Sequence, residues 1–149
     1  MTDEFKDYAK QVVENSKVFA ERFMELGWKV ISNRTENHMF VLDVYNSVGI
    51  TGKQAEELLD TINITVNKNQ IPNDTLPPLQ SSGIRIGTPA MTTKGFSEAE
   101  FIKLADIMDG ALRMYANDYK LYGEVAQEDV FANYINEVNN LVKGVINNE

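Results

Sequence analysis

Cysteine is absent from this chain of 149 residues, and histidine occurs once. Without cysteine the chain has no disulfide, no thiolate nucleophile and no cysteine-based zinc site. A single histidine is too few for a multi-histidine metal centre, and it leaves no basis for a Ser-His-Asp or Cys-His catalytic set. We therefore predict no metal site, and the lack of cysteine favours a cytoplasmic protein.

Basic side chains are also scarce: 14 Lys and Arg stand against 22 Asp and Glu, for a formal net charge of -8. Nucleic-acid affinity depends on neutralising phosphates with Lys and Arg, and anionic membranes attract the same residues. The sequence has no apolar run of membrane-spanning length and no amino-terminal segment typical of a signal peptide. We expect neither nucleic acid nor a membrane among its partners.

What the chain does contain is periodic apolar sequence, with 43% hydrophobic residues and a length suited to one domain with a core. Apolar residues at helical spacing predict a long first helix at 4–26, which Gly27 would end. Short β-branched or aromatic runs predict four strands, at 28–31, 39–44, 65–67 and 83–86.

Two capping boxes predict further helices. Thr51 with Gln54 opens a helix that runs to about residue 60, and Ser97 with Glu100 opens another. Two phenylalanines flank the second box at the spacing of a hydrophobic staple, which strengthens that prediction.

A final helix is predicted at 127–145, and a loop rich in Pro, Asn and Ser at 68–82 has a length that often accompanies function. Helices first and last, with short strands between, predict an α+β fold in which helices cover one face of a small, mostly antiparallel sheet. We interpret residues 1–149 as a single domain, with 1–26 as a long helix that reaches beyond it and 27–149 as its α/β part.

Arg85 lies on a very short predicted strand between two glycines. Side chains alternate along a strand, so Ile84 and Ile86 point to one face and Arg85 to the other. The flanking glycines have no Cβ and leave room for a ligand or another backbone to approach. A forked, permanently charged donor in this setting suits a carboxylate or a phosphate. The alternative is a solvated or salt-bridged arginine at a strand end, and the residues alone leave both open.

Other polar residues in and beside the predicted strands favour structural roles. Lys68 would form a Schiff base only if desolvated, and its polar neighbours predict a solvated loop lysine. Asn67 and Asn69 could read the edge of a heteroaromatic ring, although turns that bond their own backbone are favoured. His38 is interpreted as structural, and Asp43 has no charged partner by spacing. These residues alone do not make a complete enzyme.

Three segments carry a resemblance to a known family: Ile-Thr-Gly-Lys-Gln-Ala-Glu at 50–56, Ile-Thr-Val-Asn-Lys-Asn at 64–69 followed by Ile-Pro-Asn-Asp at 71–74, and Ser-Gly-Ile-Arg-Ile-Gly-Thr-Pro-Ala at 82–90 followed by Gly95 and Phe96. In order and spacing they closely resemble serine hydroxymethyltransferase. Residues 5–15 and 35–38 resemble the preceding segments of that family. The resemblance extends from Glu4 to about Ile107 and fades beyond Asp109.

The resemblance implies the small, carboxy-terminal domain of a pyridoxal phosphate enzyme of the aspartate-aminotransferase type (fold type I). Such enzymes interconvert serine and glycine while a one-carbon unit moves to or from tetrahydrofolate. The family's lysine that binds pyridoxal phosphate, in a Thr-Thr-His-Lys segment of the large domain, does not occur in this sequence. The expectation is a carboxy-terminal fragment that is inactive alone, contains no catalytic residue and binds neither cofactor by itself. Its long first helix resembles the family's connection between the two domains.

The resemblance also assigns binding residues. Arg85 matches the arginine that binds the carboxylate of serine or glycine, and Asn69 matches an asparagine that contacts the pterin ring of folate. Pro77, Pro78 and Leu79 match a Ser-Pro-Phe segment that lies along folate. Proline replaces serine there and leucine replaces phenylalanine, which affects folate affinity if the family's contact uses the hydroxyl or the ring.

The resemblance implies as partners the large cofactor-binding domain, a second subunit of a homodimer, and serine or glycine. Two alternatives remain: a stand-alone domain that binds an amino acid or folate or has a regulatory role, and one half of a split enzyme. Without its partners, Phe5, Tyr8, Val12 and residues 77–79 are expected to form an apolar patch that promotes self-association.

Overall fold

The computed structural model describes residues 3–31, 39–87, 95–122 and 128–147. The elements follow in the order α1 (Asp3–Glu25), β1 (Lys29–Ile31), β2 (Met39–Asp43), α2 (Val44–Val48), α3 (Gly52–Thr61), β3 (Asn67–Asn69), β4 (Gly83–Gly87), α4 (Glu98–Tyr122) and α5 (Glu128–Asn147). This arrangement of long outer helices around short strands confirms the predicted α+β class.

The four strands form one antiparallel sheet in the order β1-β2-β4-β3. The predicted pairing of the first two strands is confirmed, with Lys29 opposite Asp43 at one end of their ladder. Strand β4 is flanked on both sides, so that Arg85 lies opposite Val41 of β2 and opposite Asn67 of β3. The sheet therefore places Arg85 on one of its two interior strands.

The core lies between one face of this sheet and the helices α1, α3 and α4. Phe19 of α1 is at its centre, with ring centroids 5.5 Å from Phe40 of β2 and 5.2 Å from Phe101 of α4. Ile84 and Ile86 of β4 are buried on the same side. The alternation predicted for β4 is therefore confirmed, since its two isoleucines face the core while Arg85 is exposed.

The predicted end of α1 is confirmed at Gly27. This glycine has a φ of 93°, a left-handed conformation that side chains with a Cβ adopt at a cost. Its N–H donates to the Met24 carbonyl (3.0 Å), and the Trp28 N–H donates to the Phe23 carbonyl (2.9 Å). This pair of bonds is a Schellman motif, which satisfies the last carbonyls of the helix and turns the chain into β1.

The capping box predicted at Thr51 forms in full, whereas at Ser97 the half in which Glu100 accepts from the Ser97 backbone is present. The Thr51 hydroxyl accepts a hydrogen bond from the Gln54 N–H (3.1 Å), and the Gln54 side chain accepts one from the Thr51 N–H (2.9 Å). At the start of α4, the Glu100 carboxylate accepts hydrogen bonds from the Ser97 N–H and hydroxyl. The hydrogen bond from the Ser97 hydroxyl lowers the pKa of Glu100. The two flanking phenylalanines, Phe96 and Phe101, stack edge to face as the staple predicts.

Two predicted strand boundaries were wrong. The third strand is Asn67–Asn69 rather than 65–67, because the ladder with β4 begins where Asn67 meets Arg85. The second strand ends at Asp43, and the residues from Val44 onward form the unpredicted helix α2. The β-branched Val44 extends the strand pattern, but Asp43 caps the helix by accepting from the Asn46 N–H (3.0 Å). Local composition did not resolve either boundary.

Helix α1 leaves less apolar surface bare than the sequence predicted. Val12, predicted to belong to a bare apolar patch, is 6% exposed and therefore buried within this chain. Tyr8 is exposed, whereas the side chain of Phe5 and the whole of His38 lie outside the described residues. Within the described residues, none of the helices has the length and apolar character needed to cross a membrane.

Candidate ligand-binding site on the open face of the sheet

Arg85 is exposed on the face of the sheet opposite the helices. Strand alternation places its opposed residues on the same face, so that half-buried Val41 lies on one side and exposed Asn67 on the other. Its side chain makes no hydrogen bond or ion pair with any residue in the described parts of the chain. A fixed backbone with an exposed guanidinium gives this face a forked donor for a carboxylate or phosphate.

The glycine that begins this strand, Gly83, has a different role from the one expected. A Cβ built on Gly83 would lie 2.7 Å from Cγ1 of Val41, 3.0 Å from the carbonyl oxygen of Asn69 and 3.1 Å from Cγ2 of Ile71. Protein atoms therefore already fill the space that the sequence interpretation assigned to a ligand. Gly83 permits close packing of the sheet against the loop that precedes β4, so the arginine alone forms the candidate site at this point.

Asn69 shares the face of Arg85, because it lies opposite Gly83 and is two residues along β3 from Asn67. Residues diagonal across an antiparallel pair are about 7–8 Å apart. The Asn69 amide donates to the Gln70 carbonyl (2.7 Å), which is the local backbone contact that the sequence favoured. The structure thus places Asn69 beside Arg85 and holds its amide against the chain that follows.

Lys68 points to the other face and is not the solvated loop lysine predicted. Its Nζ lies 3.7 Å from Oε1 of Glu56 on α3, and the backbone N–H of Lys68 donates to Oε2 of the same carboxylate (2.8 Å). On the open face, Lys29 Nζ lies 3.7 Å from the Asp43 carboxylate. Both lysines of the sheet are therefore paired with carboxylates. A paired ammonium is a poor nucleophile, so these residues do not fit pyridoxal phosphate and no covalent step is assigned to them.

Residues 77–79 form an exposed tip on the loop before β4. Pro77 and Pro78 are exposed, and Leu79 is 76% exposed, the highest value among the large apolar side chains described. The Pro77 carbonyl accepts hydrogen bonds from the N–H groups of Gln80 and Ser81 (both 2.9 Å). The tip is therefore a hydrogen-bonded turn that presents apolar surface to solvent.

The loop is organised around Asp74, which the sequence did not single out. Its carboxylate accepts hydrogen bonds from the N–H groups of Ile71, Leu76 and Ser82 and from the Ser82 hydroxyl, at 2.6–3.2 Å. Partial burial disfavours its ionised form, but the hydrogen bonds outweigh that effect and lower the pKa of Asp74 to about 2. The Asn-Asp pair after a proline was an available turn signal.

Spacing along the chain gave Asp43 no charged partner, but the fold provides charged and polar ones. Asp43 is fully buried, accepts hydrogen bonds from the backbone and side-chain N–H groups of Asn46 (3.0 and 2.8 Å), and lies 3.7 Å from Lys29 Nζ. Lys29 lies opposite Asp43 only because β1 and β2 pair in this register. Spacing along the chain could not reveal that contact.

A second cluster missed by sequence lies on the helix side, at the junction of α1 and β1. Asp109 of α4 accepts hydrogen bonds from the Trp28 indole (2.7 Å) and from Arg113 (2.6 Å). Arg113 also donates to the Leu26 carbonyl (2.7 Å) and lies 5.0 Å from the centroid of the Trp28 ring. Each polar group in this cluster has a partner, which indicates a structural role. In the described residues no group of three or more His, Asp and Glu side chains is arranged to hold a metal ion.

The family model for serine hydroxymethyltransferase matches residues 1–108. The chain belongs to the serine hydroxymethyltransferase family. It is 56% identical over 108 residues to the serine hydroxymethyltransferase of Mycoplasma mobile, a match that covers 72% of this chain and 26% of that protein. It is 51% identical over 109 residues to the probable serine hydroxymethyltransferase of Mesomycoplasma hyopneumoniae, covering 73% of this chain and 26% of the relative.

A third relative, the serine hydroxymethyltransferase of Metamycoplasma arthritidis, is 52% identical over 115 residues, with 77% of this chain and 27% of the relative covered. The match therefore spans about a quarter of the length of these serine hydroxymethyltransferases, in their carboxy-terminal part. Within this chain it runs from α1 into the middle of α4 and includes Arg85, Asn69 and residues 77–79. The predicted family and the predicted extent of the resemblance are confirmed.

Proposed function

We propose that this chain forms the carboxy-terminal, substrate-binding part of a serine hydroxymethyltransferase, which interconverts serine and glycine with one-carbon transfer to tetrahydrofolate. The observation that carries the proposal is the exposed Arg85 on an interior strand of the sheet, inside the part of the chain that matches the family. The fold-type I architecture belongs to the same proposal, with 1–26 as the connecting helix and 27–149 as the small domain.

Arg85 binds the α-carboxylate of serine or glycine in this proposal. The guanidinium donates two parallel hydrogen bonds to a carboxylate, which fixes both the position and the orientation of the amino acid. Ladders on both sides of β4 hold the arginine backbone before the substrate arrives. Less ordering is then needed on binding, and the substrate is held in register for bond cleavage at its Cα.

The tetrahydrofolate site uses Asn69 and the exposed tip at 77–79. The Asn69 side chain has an acceptor as well as the donors of its amide, and these suit the polar edge of a pterin ring. Leu79 and the two prolines offer an exposed apolar surface. Contact through these side chains and the tip backbone does not require the family's hydroxyl at Pro77 or its ring at Leu79.

A large domain with pyridoxal phosphate and a second subunit complete the enzyme in this proposal, in the cytoplasm. Pyridoxal phosphate supplies an electron sink for cleavage at the amino-acid Cα. The described residues of this chain bind and orient the substrate and do no covalent chemistry, because Lys29 and Lys68 are paired with carboxylates. The chain without the large domain is inactive and binds no cofactor, and its self-association stays a prediction.

The test uses the complete enzyme, meaning this chain together with the large domain and pyridoxal phosphate, in one polypeptide or two. Arg85→Lys keeps the charge but loses the bidentate geometry, so the dissociation constant for serine rises. Charge-assisted hydrogen bonds contribute about 1.5–3 kcal/mol each, which predicts a rise of roughly tenfold to a hundredfold. Arg22→Lys is the matched control, since Arg22 pairs on the surface with Glu25 and Asp106. Equal serine affinity in Arg85→Lys and the parent would contradict the proposal.

A further inference from the structure

The loop between β3 and β4 is tied at its far end to two helices. The Ser82 carbonyl accepts a hydrogen bond from the Tyr45 N–H of α2 (3.0 Å). The first N–H groups of α3, from Gly52 and Lys53, donate to the Ser81 and Gln80 carbonyls (2.8 and 2.9 Å). Helix N-terminal N–H groups have no partner within the helix, and here the loop supplies one. Residues 80–82 are consequently held against the body of the fold.

The tip at 77–79 has no comparable tie to the body of the fold within the described residues. Its hydrogen bonds are those that close the turn at the Pro77 carbonyl and the one that the Ser81 hydroxyl donates to the Pro78 carbonyl (2.8 Å). The carboxylate of Asp74 fixes the rest of the loop, since its four hydrogen bonds join Ile71 and Leu76, which precede the tip, to Ser82, which follows it. One carboxylate therefore sets the direction in which the tip leaves the sheet.

We propose that Asp74 is a positioning residue for tetrahydrofolate binding: it holds the 77–79 tip in the orientation that contacts the ligand. This inference rests on the proposed function and extends it to a residue that touches neither substrate. An exposed apolar side chain such as Leu79 contributes little to the core, and its presentation on a fixed turn lowers the ordering cost of binding a ligand. Removing the carboxylate frees the tip and raises that cost.

Arg85 is held independently of Asp74. The arginine is three residues beyond Ser82 and is paired through the ladders with β2 and β3 on both sides. Tetrahydrofolate binding therefore depends on Asp74 and serine binding does not. That split distinguishes a positioning role from general support of the fold, which would affect both ligands alike.

The experiment measures dissociation constants of the complete enzyme for tetrahydrofolate and for serine in Asp74→Ala and Asp74→Asn. For Asp74→Ala we expect at least about a tenfold rise for tetrahydrofolate and a change within about twofold for serine. Asp74→Asn keeps one acceptor oxygen but turns an amide donor toward backbone N–H groups, so its effect is in the same direction and smaller. Thr75→Ala is the matched control, because Thr75 is an exposed neighbour on the same loop.

Amide hydrogen exchange provides a second measurement, with faster exchange expected at Leu76 and Ser82 in Asp74→Ala. Three results for Asp74→Ala would each overturn the inference: an equal loss of affinity for both ligands, an unchanged affinity for tetrahydrofolate, or unchanged amide hydrogen exchange at Leu76 and Ser82. An enzyme that binds serine but no tetrahydrofolate overturns it together with the folate part of the proposed function. Arg85→Lys could leave serine affinity unchanged while Asp74→Ala still lowers the affinity for tetrahydrofolate alone. That result would contradict the proposed role of Arg85 and support the role of Asp74.

Discussion

Gly52, the first residue of α3, lies against Gly83, the first residue of β4. A Cβ built on Gly52 would lie 2.3 Å from the carbonyl oxygen of Gly83 and 3.3 Å from that of Gln80. The absence of a side chain lets the Gly52 N–H donate to the Ser81 carbonyl at 2.8 Å. The helix N-terminus thereby supports the strand that carries Arg85, two residues beyond Gly83.

Gly52→Ala should lower the free energy of unfolding. The added methyl meets backbone, which cannot rotate away, and overpacking of this kind costs about 1–3 kcal/mol. Gly144→Ala is the matched control: it is also helical, a Cβ built on it would meet no atom within 4 Å, and it gains helix propensity of up to about 1 kcal/mol. Urea denaturation of both variants measures the difference. A Gly52→Ala protein as stable as the parent would contradict the packing described.

The lowered pKa of Asp74 predicts that its contribution to the free energy of unfolding depends on pH. Its pKa of about 2 in the folded chain is below the ordinary aspartate value. The ionised carboxylate therefore stabilises the fold above about pH 4, and this contribution is lost as the pH falls through about 2. We expect the parent to be more stable than Asp74→Asn at pH 6 and the difference to shrink toward pH 2. Urea denaturation across this range checks it, and a difference that does not vary with pH would contradict the prediction.

Asp109→Asn tests the cluster at the junction of α1 and β1. The Trp28 indole and Arg113 both donate to the same Asp109 oxygen, so the amide can keep that acceptor but loses the negative charge that strengthens both hydrogen bonds, which should cost about 1–3 kcal/mol. Asp106→Asn, three residues earlier on α4, removes the exposed pair with Arg22 and should cost about 1 kcal/mol or less. Denaturation followed by the fluorescence of Trp28 compares them. An equal loss of stability in the two variants would contradict the role of Asp109 in holding Trp28 and Arg113.

The chain alone should form no glycine from serine when mixed with pyridoxal phosphate and tetrahydrofolate. The two sheet lysines are paired with Glu56 and Asp43, and neither provides the desolvated amine that a Schiff base needs. The assay is glycine formation with and without tetrahydrofolate, and adding the large domain serves as the positive control. Turnover by the chain alone would refute the proposal that this chain binds the substrate while the large domain provides the covalent chemistry. Calorimetry with serine, glycine and tetrahydrofolate tests the stand-alone binding alternative in the same preparation.

Local features were predictable because their causes lie within a few residues. The left-handed Gly27 ends α1, and the Thr51–Gln54 box opens α3, through bonds that span one turn of chain. The outward direction of Arg85 follows from strand alternation alone. The start of β3 was not predictable in the same way, since a strand begins where a partner is present and Asn67 meets Arg85 only in the folded sheet.

The residues around Arg85 are compatible with an anion-binding site and with a solvated charge at a strand end. The sequence by itself determined that Arg85 alternates with two core isoleucines and that its surroundings match one enzyme family. Only the tertiary structure decided that β4 lies between β2 and β3, that Gly83 packs against Val41, and that Lys29 reaches Asp43. Those relationships join residues far apart in the chain, and they depend on strand order and register, which no local pattern encodes.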